Sequence, residues 1–235
     1  SDNQKPQWVD ENKIIFVNHE EIIPERYLPT FNSHFIQRYI HNIKDINDYF
    51  ILIDDDFIIN DFTKPNDFIK DGKLINHFNK NILDEKELES IDINNNLWKA
   101  SVFKTINILK KKFTLDFTKY HLHHSPYVLS VNSIKTCNEL FKNDLDKNIH
   151  QHRSFDITTN YLYVYFYNIT NNISIKPTNE NIFFLNVKDN SKLDNVVLKD
   201  YKFICFNDDF DNDEISLKLI DIYEKILPDK CSYEL

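Results

Sequence analysis

Apolar positions recur along this chain at two different periods. Within residues 28–56, Ile36, Tyr39, Ile40 and Ile43 stand three and four residues apart, which predicts a short amphipathic helix. His34, Arg38 and His41 repeat at that spacing on another stripe. Asn32 or Ser33 is placed to cap the helix start, its side-chain oxygen taking an unpaired backbone N–H. Residues 49–53 are then continuously apolar, as expected of a strand covered on both faces. Asp54, Asp55 and Asp56 follow at the strand's carboxyl end, where open α/β sheets bind ligands.

The same patterns divide the rest of the chain. Residues 1–13 read as an entering loop anchored by Pro6 and Trp8, 13–17 as a short strand, and 57–71 as irregular. Asp71 and Gly72 make a turn. Residues 79–96 are polar and read as a mobile insertion or a loosely packed helix. Val102, Phe103, Ile106 and Leu109 predict a helix over 98–112, whose terminal lysines suit the negative end of its dipole. Those lysines would also suit an anionic acceptor or a membrane surface. Further helices are expected over 133–142 and 215–227, and a second buried strand over 201–206. The aromatic run 161–167 fits a core-facing helix, although alternation would permit a strand. Buried strands alternating with helices predict an α/β fold around a mixed, partly parallel sheet.

Composition narrows the chemistry. A net charge of −9 argues against a nucleic-acid-binding surface. No apolar run approaches the roughly 20 residues that span a bilayer. A single Gly leaves no phosphate-cradling glycine loop, so side chains must hold any bound phosphates. Three widely spaced Cys match neither a zinc site nor a disulfide framework and read as reduced and structural.

Three groups of residues carry possible chemistry. The adjacent carboxylates of Asp54, Asp55 and Asp56 repel one another, and a divalent cation with diphosphate oxygens would relieve that repulsion. A solvated strand exit would look the same. His121, His123 and His124 precede Pro126 in a loop or strand end. A single His there could serve as a base near pH 7, or be one of several polar loop histidines. Arg153 could clamp phosphate oxygens or pair with Asp156 on the surface. Asn207 and Asp208 close the second strand as the aspartates close the first.

These residues form a pattern in order. Asp2, Asn3, Gln4, Pro6 and Trp8, the run 28–34 ending Asn32-Ser33-His34, and the strand ending in Asp54-Asp55-Asp56 resemble the second block of the Stealth family of sugar-phosphate transferases. His124-Ser125-Pro126-Tyr127, Arg153-Ser154-Phe155-Asp156 and Tyr161-Leu162-Tyr163 resemble its third block, and Cys205-Phe206-Asn207-Asp208 its fourth. The family's first block has no counterpart here, and Asp54 stands where the family usually carries Asn. The chain therefore reads as one family domain over 1–235 without that block, carrying a helical insertion at 73–118.

The resemblance implies a nucleotide-sugar-transferase-like domain that moves a hexosamine-1-phosphate from a UDP-sugar to a glycan or phosphoglycan hydroxyl. UMP would leave, and the work would be done in the cytoplasm or at the inner face of the membrane. Under it, Mg²⁺ or Mn²⁺ would sit on Asp54, Asp55 and Asp56, with Asp55 central. Arg153 would hold the transferred phosphoryl group, and His124 or His34 would take the proton. Asn32, Ser33, Arg38, Asp156, Asn207 and Asp208 would orient donor and partners. Two other readings stay open: a non-catalytic glycan-binding fragment, and a metal-dependent glycosyltransferase that releases UDP.

Overall fold

In the computed structural model, residues 4–82, 92, 96–113, 120–178, 182–187, 193, 198, 200–208 and 213–234 are described. The first elements are α1 (His19–Ile22), α2 (Ser33–Arg38), β1 (Tyr49–Leu52) and β2 (Phe57–Ile59). They are followed by α3 (Pro65–Phe68), β3 (Ile69–Lys70), β4 (Lys73–Leu74), β5 (Phe78–Ile82) and α4 (Leu97–Phe113). Then come β6 (Tyr120–Leu122), β7 (Tyr127–Ser130), α5 (Val131–Leu140), α6 (Lys142–Leu145) and α7 (Thr159–Thr170). The chain closes with β8 (Ile182–Val187), β9 (Phe203–Asp208) and α8 (Asp213–Ile226).

The strands form several small sheets. β9 lies between β2, antiparallel to it, and β8, parallel to it, while β1 pairs antiparallel with β7 and β5 with β6. The expected α/β architecture with a mixed, partly parallel sheet is what the chain adopts. β3 and β4 form a hairpin whose turn is made by Asp71 and Gly72, both at positive φ, as the turn signal predicts.

α7 runs through the main core. Its residues from Thr159 to Asn168 are all buried, so it is enclosed all round and carries no one-sided stripe to read. Each buried tyrosine hydroxyl still needs a partner. Tyr163 donates to Asn138 Oδ1 at 2.8 Å, Tyr161 donates to the Leu122 carbonyl at 3.3 Å and Tyr165 donates to the Tyr120 carbonyl. Val102, Ile106 and Leu109 of α4 pack into the same core. The helical part of the 73–118 segment is thus core structure, while residues 83–91, 93–95 and 114–118 lie outside the described residues. A second core forms where Ile215 and Leu219 of α8 cover Val187, Ile204 and Phe206.

Several sequence expectations are corrected. β1 is not covered on both faces: Tyr49, Ile51 and Ile53 are 43%, 38% and 44% exposed, whereas Phe50 and Leu52 turn inward. An antiparallel pair with one solvated face alternates in this way, and apolar residues on its outer side conceal that alternation. Residues 13–17 form no strand: Lys13 sits in a turn and 14–17 are extended without a ladder. Trp8 is 60% exposed, and the neighbouring Val9 is the buried anchor of the entering loop. The stretch 57–71 is not irregular, because β2 finds its partner about 150 residues away on β9, a pairing no local pattern announces.

Candidate active site

The register of the three-stranded sheet sets the first half of the site. Phe57 on β2 pairs with Cys205 on β9, and Cys205 pairs with Phe184 on β8. Laterally paired residues share a face, so the two rings flank the thiol in one row. Asp56 immediately precedes β2 and therefore lands beside Cys205, whose Sγ donates to Asp56 Oδ2 at 3.1 Å. His124, in the turn between β6 and β7, sits against both rings, 4.5 Å from Phe57 and 5.6 Å from Phe184, edge to face. Its Nε2 lies 3.1 Å from the same Asp56 Oδ2, and its Nδ1 lies 3.1 Å from the buried Tyr127 hydroxyl. Asp56 Oδ1 is buried with no partner.

Electrostatics separates the three aspartates. Burial pushes the Asp54 carboxyl up, the charges of Asp56 and Asp55 add to this, and His124 and Arg153 oppose it. Burial also pulls Asp56 up, but its hydrogen bonds with His124 and Cys205 outweigh that, and it stays below the usual carboxylate range. The Cys205 thiol is pushed up, by burial first and then by Asp56. Asp55 is exposed. Among the described residues, the ligand atoms that converge within 4.8 Å of one another are those of Asp56, His124 and Cys205, and not the three consecutive carboxylates.

The second half is tied down by a buried carboxylate. Asn32, 0% exposed, caps α2 by accepting from the His34 N–H at 3.1 Å, and its Nδ2 donates to Asp156 Oδ2 at 2.9 Å. Asp156, 1% exposed, also accepts from the Ser154 N–H at 2.8 Å and meets His150 Nδ1 at 2.7 Å. These bonds fix the loop carrying Arg153, whose Nε and Nη2 donate to Ser33 Oγ at 3.0 and 2.6 Å. The predicted surface pair between Arg153 and Asp156 is therefore replaced by contacts to Ser33 and Asn32 respectively. Asp156→Ala would strand the Ser154 N–H and leave the Asn32 amide only its long contacts to the His150 and His152 carbonyls, at 3.4 and 3.5 Å. The expected loss is about 1–3 kcal/mol in denaturant-induced unfolding, and an unchanged midpoint would refute this account.

The remaining candidates fall at three places. His34 is pushed down to about 4 by burial and by the Arg153 charge, and its Nδ1 has no partner. It lines a cavity of about 10 Å³ together with Asn32, Arg38, Asn148, Asp156 and Thr159, space for about one water. Arg38 spends Nη2 on an ion pair with Asp146 at 2.6 Å. Asn207 donates to Asn186 across β8 and β9, while of Asp208 only the backbone is described. The two halves share a field, since the charge of Arg153 acts on both His34 and Asp54.

Sequence reasoning assigned no role to Tyr127 and read Cys205 as structural. Both stood inside quoted motifs, but their contacts with His124 and Asp56 depend on strand register, which the motifs do not encode.

Residues 1–77 match the family model Stealth protein CR2, conserved region 2. A capsular polysaccharide phosphotransferase WcwK of Streptococcus pneumoniae is 29% identical over 262 residues, covering 97% of this chain and 77% of that protein. SacB of Neisseria meningitidis serogroup A, also a capsular polysaccharide phosphotransferase, is 30% identical over 248 residues, covering 97% of this chain and 44% of that protein. The first third of the chain thus matches a Stealth region, and nearly the whole chain is similar to capsular polysaccharide phosphotransferases. A further capsular polysaccharide phosphotransferase, from Neisseria meningitidis serogroup B, is 40% identical over 79 residues, 32% of this chain.

The Stealth region supplies Asn32, Ser33, His34 and Asp54 to Asp56, whereas His124, Arg153 and Cys205 come from beyond it. The chain spans less than half the length of SacB, and no described helix is long and apolar enough to cross a membrane.

Proposed function

We infer that this chain carries out sugar-1-phosphate transfer in capsular polysaccharide synthesis. A hexosamine-1-phosphate passes from a UDP-sugar to a glycan hydroxyl. The acceptor oxygen forms a P–O bond to the sugar-bearing phosphorus, the P–O bond to UMP breaks, and UMP leaves. The observation that carries this reading is the pairing of His124 with Asp56 beside Asp54, a carboxyl that also feels Arg153. The similarity to phosphotransferases along 97% of the chain supports the reaction class.

In this reading Nδ1–H of His124 donates to the Tyr127 oxygen, and Nε2 donates to Asp56 only after it has taken the acceptor's proton. The attacking hydroxyl's proton goes to Nε2, and Asp56 stands beside the resulting imidazolium as its counter-ion. Arg153, held by Ser33, offers a planar fork to the phosphoryl oxygens. Asn32 and Asp156 position the Arg153 loop, and Asn207 and Asp208 at the end of β9 would orient the donor. Oxygen donors with one half-buried and one exposed carboxylate, Asp54 and Asp55, suit a hard ion bound through few protein ligands and substrate phosphates. Mg²⁺ or Mn²⁺ there would neutralise the diphosphate and the departing UMP.

The test is to incubate the chain with Mg²⁺ or Mn²⁺, a panel of UDP-sugars and short phosphoglycan acceptors, and to identify the released nucleotide. Metal-dependent UMP that is lost in Asp55→Ala is the expected result. Release of UDP would make the protein a conventional glycosyltransferase. Acceptor binding with no nucleotide released would leave the glycan-binding reading.

A further inference from the structure

We propose that Asp56, His124 and Cys205 form a three-ligand site for a borderline-soft divalent cation of the Zn²⁺ class, with a fourth position open. This goes beyond sugar-phosphate transfer and uses a donor set that a hard cation would not select.

Three separate elements bring the ligands together: the turn before β2, the turn between β6 and β7, and the centre of β9. Their ligand atoms all lie within 4.8 Å of one another, and the Sγ–Oδ2 and Nε2–Oδ2 separations are both 3.1 Å. Bond lengths of about 2.0–2.3 Å in tetrahedral geometry place neighbouring ligand atoms roughly 3.3–3.8 Å apart, so slight opening of the trio would admit the ion. The donor set decides the metal class: thiolate and imidazole select Zn²⁺ and its neighbours, whereas Mg²⁺ and Ca²⁺ take oxygen.

The surroundings agree. A metal-bound His usually donates its other ring N–H to a fixed acceptor, and the Tyr127 oxygen lies 3.1 Å from Nδ1 for that purpose. Phe57 and Phe184 hold the imidazole edge-on and supply an apolar wall on either side of Cys205. Asp56 Oδ1 is buried without any partner, a polar atom that a cation beside its carboxylate would satisfy. On binding, the Cys205 thiol gives its proton to the buffer and the thiolate joins the metal. Occupation takes the Nε2 lone pair, so an ion in this trio and a His124 base exclude one another.

Co²⁺ is the probe, because a thiolate ligand gives it a charge-transfer band and tetrahedral geometry intensifies its visible bands. Metal-free, reduced protein carrying Cys231→Ser, which removes the exposed thiol, is titrated with Co²⁺ and then with Zn²⁺. The expected result is saturable appearance of both features, bleached by Zn²⁺ at one equivalent and abolished by Cys205→Ser. His124→Gln, in a partly exposed turn, provides a second variant and should weaken the Co²⁺ Kd by about tenfold or more, the scale of losing a metal-site partner. No charge-transfer band in the folded protein, a band that survives Cys205→Ser, or an unchanged Kd in His124→Gln would each overturn the proposal. The readout is spectroscopic and needs no sugar donor, so its failure is distinct from failure of the transfer reading.

Discussion

Replacing His124 with Ala is expected to lower metal-dependent UMP release by about 10²–10⁴-fold, the usual contribution of a positioned general base. The side chain meets the requirements of that role in this structure. It stands in a turn, is held edge-on by Phe57 and Phe184, and has Nδ1 placed by the Tyr127 hydroxyl. Asp56 Oδ2 lies 3.1 Å from Nε2, placed to accept from it once the proton arrives. Because the proton moves only as the bond to the acceptor forms, kcat should fall while KM for the UDP-sugar changes little. Measuring both constants for His124→Ala and for Asp56→Asn checks this. Turnover within a factor of about three of wild type in His124→Ala, well short of that expected loss, would remove His124 as the base.

The second large effect concerns acid. His34 and His77 are each pushed down to about 4, in both cases by burial first. In the unfolded chain each titrates near 6.5. The folded-state value is the depressed one, so between pH 6.5 and 4 the unfolded state binds more protons, and stability falls as pH falls through that window. At 1.36 kcal/mol per pH unit, each histidine contributes at most about 3 kcal/mol of this loss. His123 is also pushed down to about 4, by burial and then by His77, and adds to the same loss, whereas the carboxyl of Asp146, held down by Lys142 and then Arg38, titrates at lower pH. Urea unfolding at a series of pH values from 7 to 4 should therefore show a steep decline in stability. His77→Leu should flatten it, since the ring rests on Phe203 and its Nδ1 has no hydrogen bond to lose. An equally steep decline in His77→Leu would mean that other groups drive acid unfolding.

Local pattern went a long way here. The helices over α4, α5 and α8 came from apolar residues three and four apart, and each does turn that stripe to a core. Asn32 was readable as a cap because the cap is a local bond, made two residues along to His34. The aromatic run in α7 was harder, since a helix buried on every side has no polar face to set its period. β1 misled for the opposite reason: its outward residues are apolar, so the alternation imposed by a one-sided sheet left no trace.

Residue identity and order along the chain by themselves determined the mixed α/β class, the main helices, the acidic strand exit and the resemblance to the Stealth family. They also brought His124, Arg153, Asp56 and Asp156 forward as candidates. Which of these meet was decided only by tertiary structure. Asp56 reaches His124 and Cys205 because Phe57 pairs with Cys205 rather than with a neighbour one step along β9. A slip of one residue would point every side chain of β2 to the other face and break the trio. That register is fixed by long-range packing of Phe57, Ile204 and Phe206 against two separate cores. Arg153 likewise meets Ser33, and not Asp156, because Asp156 is already occupied by the buried amide of Asn32, 124 residues away, and by the nearby Ser154 N–H and His150 ring. Short-range periodicity records which face a residue prefers; it carries no information about which distant strand or loop will lie across from it.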